Sequence, residues 1–283
     1  MTHRELHTTI TRCARRACLL YYTIIILAIS LIASSVSAHA SSHTALVAAA
    51  SSLRLLWPEL IKAYQQDTGQ TLPRVSFGSS GLLSTQIING APFDLFLSAD
   101  SENINRLPSK RLVSEPEIFA LGGLHLVSLS NKDFVKKLSI DALPELITEH
   151  PGKDTLRIAI PNPVHAPYGR AAKAALEYAS VWPLPAQQLL MAENASQTLH
   201  FLNAGAADIA IVPMALLEHV QNDRLTSVAI PSDSYQLVEH IAVLLKPATS
   251  KDAAKNSSAE HLQQWLLGDA AKAVLENAGL QVP

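Results

Sequence analysis

The chain has 283 residues, of which 48% are hydrophobic and 16% charged, with 16 prolines, 11 glycines and two cysteines. This supplies apolar side chains for one large domain or two of moderate size, and neither a low-complexity tract nor an internal repeat is visible. The whole chain has a formal charge of −2, and the part expected to remain after export about −5, which makes nucleic acid and anionic membrane poor partners.

The first segment reads as an export signal. Arg4, Arg12, Arg15 and Arg16 precede an apolar run from Cys18 to Ala33, and small residues follow from Ser34 to Ala40. The run is near the upper end of the about 7–15 residues of a signal core and short of the about 20 that span a bilayer. Ala38 and Ala40 occupy the small positions of an A-x-A site, so residues 1–40 are expected to be a cleaved signal peptide and Ser41 the first mature residue. A cut after Ala38 is the second choice, and Arg15-Arg16 is a weak hint of the twin-arginine route. Cleavage removes Cys13 and Cys18, which excludes disulfides, thiol catalysis and cysteine metal sites from the exported part. It also removes four of the 22 basic and one of the 24 acidic side chains, leaving a formal charge of about −5.

From Ser41 onward, short aliphatic runs alternate with helical periods, the pattern of an α/β protein with mostly parallel sheets. Thr44 to Ala50 predicts a strand. Leu53, Leu56, Trp57, Leu60, Ile61 and Tyr64 predict a helix, with Pro58 kinking it or setting a short first turn and Gly69 ending it. Arg74 to Gly78 predicts a second strand, Leu82 to Asn89 a short helix, and Asp94 to Ser98 a third strand, with Asp100 or Ser101 capping the helix after it. A strand from Phe119 to Ser128, broken at Gly122-Gly123, is a place for the chain to pass into a second lobe. Strands at Arg157 to Ile160 and Asp208 to Val212 belong to that lobe, with helices at Tyr168 to Tyr178 and from the cap Asn194 to Asn203. A return crossing between Pro231 and Ile241, a strand from Ile241 to Leu245 and helices near 260–267 and 270–278 complete the chain. The expected organisation is thus 41–121 with 232–283 as one lobe and 122–231 as the other.

Enzyme motifs fail on inspection. Gly78-Ser79-Ser80-Gly81 is not a nucleophile elbow, and the chain has no S-x-x-K, H-E-x-x-H or Walker loop. Its histidines are scattered and read as surface residues. Small hydroxyl residues and glycines remain where strands end and helices begin: Ser51-Ser52, Ser79-Ser80-Gly81, Ala166-Pro167-Tyr168-Gly169 and Asn194-Ala195-Ser196. Each taken singly is explained as an N-cap. Together they point to an anion site, because open α/β sheets bind ligands at the carboxyl ends of their strands, where helix starts present unpaired N–H groups and a positive dipole. A desolvated dianion costs several kcal/mol per charge, and each charge-assisted hydrogen bond returns about 1.5–3 kcal/mol, so roughly five to seven donors must converge. No arginine or lysine lies within these short motifs, although Arg54 and Arg170 are close, so dipoles would hold the ligand. Such a donor set favours a fully ionised tetrahedral oxyanion, because a protonated phosphate needs an acceptor.

The segments Val47 to Leu53, Phe77 to Gly81, Gly90 to Asp100 and His165 to Ala172 resemble the periplasmic molybdate-binding proteins of ABC importers, the most specific being Gly90-Ala91-Pro92-Phe93-Asp94-Leu95-Phe96-Leu97-Ser98-Ala99-Asp100. The resemblance implies a two-lobed periplasmic-binding-protein fold, each lobe a mostly parallel sheet flanked by helices, with the ligand cleft between. It implies a monomeric periplasmic protein that binds molybdate or tungstate, delivers it to an inner-membrane permease, catalyses nothing and needs no cofactor and no metal held by side chains. The serine ligands would fall on Ser52, with Ser51 adding its amide, and on Ser80. The backbone donors of the second lobe would fall on Tyr168 and Ala195, whose side chains would matter less than their N–H groups. Several such proteins place a tyrosine hydroxyl on the oxyanion where this chain has Pro213. The rival readings are a binder of sulfate or another tetrahedral oxyanion, and an exported serine hydrolase using Ser52 or Ser80.

Overall fold

The computed structural model describes residues 45–71, 73–150, 155–217, 224–246 and 253–283, with the backbone alone for 253–257. The proposed signal peptide, both cysteines and residues 41–44 lie outside them.

The early strands are short aliphatic runs, β1 (Leu46–Ala50), β2 (Arg74–Gly78) and β3 (Leu95–Ser98), and each leads into a helix or tight turn. After β1 comes a single 3-10 turn, Ser51–Leu53, and then α1 (Trp57–Thr68), with Pro58 in its first turn, where a missing N–H costs nothing. Gly69 ends α1 in the left-handed conformation, φ 69°. Helix α2 (Ser80–Ile88) follows β2, and α3 (Glu102–Asn105) follows β3, where Asp100 rather than Ser101 accepts the Asn103 N–H at 3.0 Å. These strands pair in parallel.

The chain leaves this sheet after β4 (Glu117–Gly122) and enters a second at β5 (Leu124–Leu129). There follow α4 (Leu143–Glu149), β6 (Ile158–Pro161), α5 (Pro167–Tyr178), β7 (Leu189–Ala192), α6 (Ala195–Asn203), β8 (Ile209–Pro213) and β9 (Leu225–Ala229). It then returns through β10 (Val238–Leu244) to the first sheet and ends in α7 (Ala253–Leu266) and α8 (Asp269–Asn277). The strand orders are β2-β1-β3-β10-β4 and β7-β6-β8-β5-β9. In each, three parallel strands are followed by an antiparallel fourth: β10 runs against β3 and β4, and β5 against β8 and β9. The two sheets therefore repeat one topology that no sequence periodicity announces.

Alternation along the strands explains why they read as nearly continuous apolar runs. In the first sheet Val47, Ala49, Leu95 and Leu97 face Tyr64, Leu262 and Trp265 of the outer helices, while Ala48, Phe96, Ile241 and Val243 face Leu83 and Ile87 of α2. In the second sheet Leu126, Ile158, Ile160 and Ile211 pack on Leu143 of α4 and Ala172 and Leu176 of α5, and Val127, Ala159, Ala210 and Val212 pack on Leu199 and Leu202 of α6. Helices thus cover both faces of both sheets, the α/β two-lobed architecture expected from the sequence. The lobes are close enough that all described residues fall in one compact unit. Strands β7 and β9 and helix α4 are not foreseen in the sequence, β7 being only four residues long and preceded by a proline-rich loop.

Candidate functional site

One small cavity lies where strand ends of both sheets meet helix starts. It is lined by Ala50, Ser51, Ser52, Gly78, Ser79, Ser80, Ala99, Ala166, Pro167, Tyr168 and Ala195. None of these side chains is charged, so a positive potential in the cavity would have to come from peptide dipoles at the converging helix starts.

At three of these starts the residue in the capping position makes no capping bond. Ala50 and Ala166 have no side chain able to cap, and the Ser79 hydroxyl, which could, instead meets His165 Nδ1 at 2.9 Å. Asn194 does cap α6, but it accepts the N–H of Gln197, which leaves the N–H of Ala195, one step into the helix, outside the capping bond. Tyr168 is the second residue of α5 behind an uncapped Ala166, so its N–H also has no intrahelical acceptor.

The serine hydroxyls are arranged in the same sense. Ser80 is fully buried, and its Oγ accepts the Ala99 N–H at 2.9 Å, which leaves its own O–H free to donate. Ser52 is 1% exposed, and its Oγ has no hydrogen-bond partner among the described residues. A buried hydroxyl without a partner costs about 1–3 kcal/mol. Ser52 lies on the cavity wall.

Contacts across the cleft join the lobes around this cavity. Gly81 donates its N–H to the His165 carbonyl at 2.9 Å, and Ser196 donates its hydroxyl to the Ser51 carbonyl at 2.8 Å. The Arg170 guanidinium pairs with Asp100 and lies 3.5 Å from Glu102. Gly81 is required by proximity: a Cβ there would sit 2.7 Å from the His165 carbonyl oxygen.

The model of one protein family, described as bacterial extracellular solute-binding protein, matches residues 45–281. The chain belongs to that family. Relatives at lower identity carry more specific names. The molybdate-binding protein of Rhodobacter capsulatus is 29% identical over 204 residues, covering 70% of this chain and 74% of its own length. That of Azotobacter vinelandii is 28% identical over 238 residues, covering 82% and 88%. The solved structure of the Azotobacter vinelandii periplasmic molybdate-binding protein superposes with a TM-score of 0.69 at 25% identity, over 84% of this chain and 99% of that one.

Within this solute-binding fold, Ser51, Ser52, Ser80, Tyr168 and Ala195, proposed from widely separated segments, all line the one cavity. Pro213 ends β8 opposite Leu124 and is not among the lining residues. Two features escape the sequence. The first is the cross-cleft role of His165, Ser196 and Arg170, which lie in or beside the recognised segments but whose partners are 86, 145 and 70 residues away. The second corrects the reading of the histidines as surface residues: His240 is fully buried, and burial also lowers the pKa of His125. Among the described residues no helix is long and apolar enough to cross a membrane.

Proposed function

We propose that this chain is the periplasmic binding component of an ABC importer that captures molybdate or tungstate in the cavity between its lobes and hands it to an inner-membrane permease. The observation that carries this reading is the buried hydroxyl of Ser52, without a partner among the described residues, set in an uncharged cavity among uncapped helix starts. The hydroxyls of Ser52 and Ser80 and the N–H groups of Ser51, Tyr168 and Ala195 would be the donors, contributed by one lobe of residues 41–121 with 232–283 and another of 122–231. The named relatives are molybdate-binding proteins, which supports this anion over others. Dipoles without a fixed countercharge suit reversible capture, and contact with both lobes would let the ligand stabilise the closed arrangement. The protein acts as a monomer, and its Ser–His contact, Ser79 with His165, serves as a bridge between lobes rather than as a nucleophile and base.

The test is thermal unfolding of the purified protein with molybdate, tungstate, sulfate and phosphate, beside an ester-hydrolysis assay. Molybdate and tungstate at low micromolar concentration should raise the unfolding temperature, and ester turnover should be absent. A shift with sulfate alone, or with none of the four, would sink the reading. Competition calorimetry then ranks molybdate against tungstate.

A further inference from the structure

Tyr168 faces two ways. Its backbone belongs to the second lobe, at the start of α5, and lines the cavity. Its side chain packs with the second lobe's core and reaches the first lobe at its tip, where its hydroxyl lies 2.9 Å from Nε2 of His240 on β10. Tyr168 is 2% exposed and His240 0%. Their ring centroids are 5.8 Å apart, and the Phe119 ring of β4 lies at the same distance from the imidazole.

The site is shaped to receive this hydroxyl. Gly122, the last residue of β4 before the chain crosses between sheets, lies so close that a Cβ there would overlap the Tyr168 hydroxyl. On the return connection the Tyr235 hydroxyl accepts the N–H of Leu124, the first residue of β5, at 2.7 Å. The Tyr168 hydroxyl thus lies beside the outgoing inter-lobe connection at Gly122. Among the described residues His240 Nδ1 has no partner, so loss of the Tyr168 bond would leave the buried ring with neither nitrogen satisfied.

We propose that Tyr168 is a positioning residue for ligand capture: its hydroxyl, bonded to His240 across the lobe boundary, selects the closed arrangement that turns its own N–H toward the cavity. Helix α5 transmits the constraint, because a helix start moves as a body with the turn beyond it. Burial pushes the His240 pKa down to about 4 and raises that of the Tyr168 phenol, so at neutral pH the pair is an uncharged hydrogen bond, stable without a counterion. Motion of the lobes would have to break or carry this bond, whereas the hydroxyls of Ser52 and Ser80 would be unaffected by its loss.

The ligand part of this inference rests on the oxyanion reading; the lobe-closure part does not. Spin labels at Gln66→Cys on α1 and Lys136→Cys in the second lobe, placed in residues 41–283, which hold no native cysteine, report the distance between lobes in the ligand-free protein. Tyr168→Phe preserves the ring and removes only the hydroxyl, and His240→Leu removes the partner. Each should shift the distance distribution toward longer separations and weaken molybdate binding about tenfold, the worth of one buried hydrogen bond. The double variant should do no more than either alone. A Tyr168→Phe protein with the wild-type distance distribution overturns the proposal, as does one whose unfolding temperature falls while distance and affinity stay unchanged. Failure of the wild type to bind molybdate or tungstate would remove the oxyanion reading and leave the distance comparison to decide this one.

Discussion

The hydroxyl of Ser196 donates to the carbonyl of Ser51 at 2.8 Å, joining the first turn of α6 in one lobe to the turn after β1 in the other. The Ser51 carbonyl keeps a second donor, the Arg54 N–H at 3.1 Å, so losing Ser196 does not orphan it. The bond therefore contributes chiefly to closure. Ser196→Ala should weaken oxyanion binding by about 0.5–1.5 kcal/mol with little change in ligand-free unfolding temperature, as read by calorimetry beside thermal denaturation.

Ser52 and Ser80 should separate in a way that tests their roles. Both face the cavity, and alanine at either should weaken binding by about 1–3 kcal/mol. In the ligand-free protein the Ser80 oxygen holds the Ala99 N–H, while that of Ser52 holds nothing among the described residues. Ser80→Ala should then also lower the unfolding temperature, and Ser52→Ala should leave it unchanged or raise it. Two alanines with equal effects on ligand-free stability would contradict this arrangement.

Gly81 offers a steric test of closure. Its φ is not in the left-handed region, so alanine suits its helical backbone. The cost arises across the cleft, where the new Cβ would meet the His165 carbonyl oxygen at 2.7 Å and Cβ at 2.9 Å. Gly81→Ala should weaken binding and lower ligand-free stability, each by about 1–3 kcal/mol, the usual cost of overpacking. Titration calorimetry and denaturant unfolding report the two quantities.

How these residues came to be visible differs from one to the next. The helix-start serines and glycines are legible because a strand end followed by small polar residues is a local pattern, and local rules place Ser52, Ser80, Tyr168 and Ala195 at comparable positions. The α/β class is legible for the same reason. What is not legible depends on distance: nothing near Tyr168 announces His240, and nothing near Ser79 says that its hydroxyl will turn to His165 instead of capping α2. The direction of β5 and β10 is hidden too, since a fully buried antiparallel strand between parallel ones reads as the same apolar run.

Acid should destabilise the fold through His240. In the unfolded chain this ring takes up its proton near 6.5, but burial lowers the folded value to about 4. Between those values the unfolded state binds more protons. The ring's contribution to stability is therefore complete above about pH 6.5, is lost progressively as pH falls toward 4, and is flat below, to a limit of about 3 kcal/mol. Urea midpoints measured from neutral pH to about pH 4 should fall more steeply for wild type than for His240→Leu.

The strand order of the first sheet has a consequence for how the chain is made. Strands β3 and β4 are adjacent in the chain but never touch as neighbours, because β10 lies between them, and β10 emerges only after the whole second sheet. A chain delivered from its N-terminus can finish the second lobe while the first still has an open slot, with the apolar edges of β3 and β4 waiting for a strand more than a hundred residues downstream. The late segment from Val238 onward is thus a keystone inserted last. A nascent chain stopped before it would hold one completed lobe and one with two unpaired edges, the form most vulnerable to proteolysis and to pairing with a neighbour.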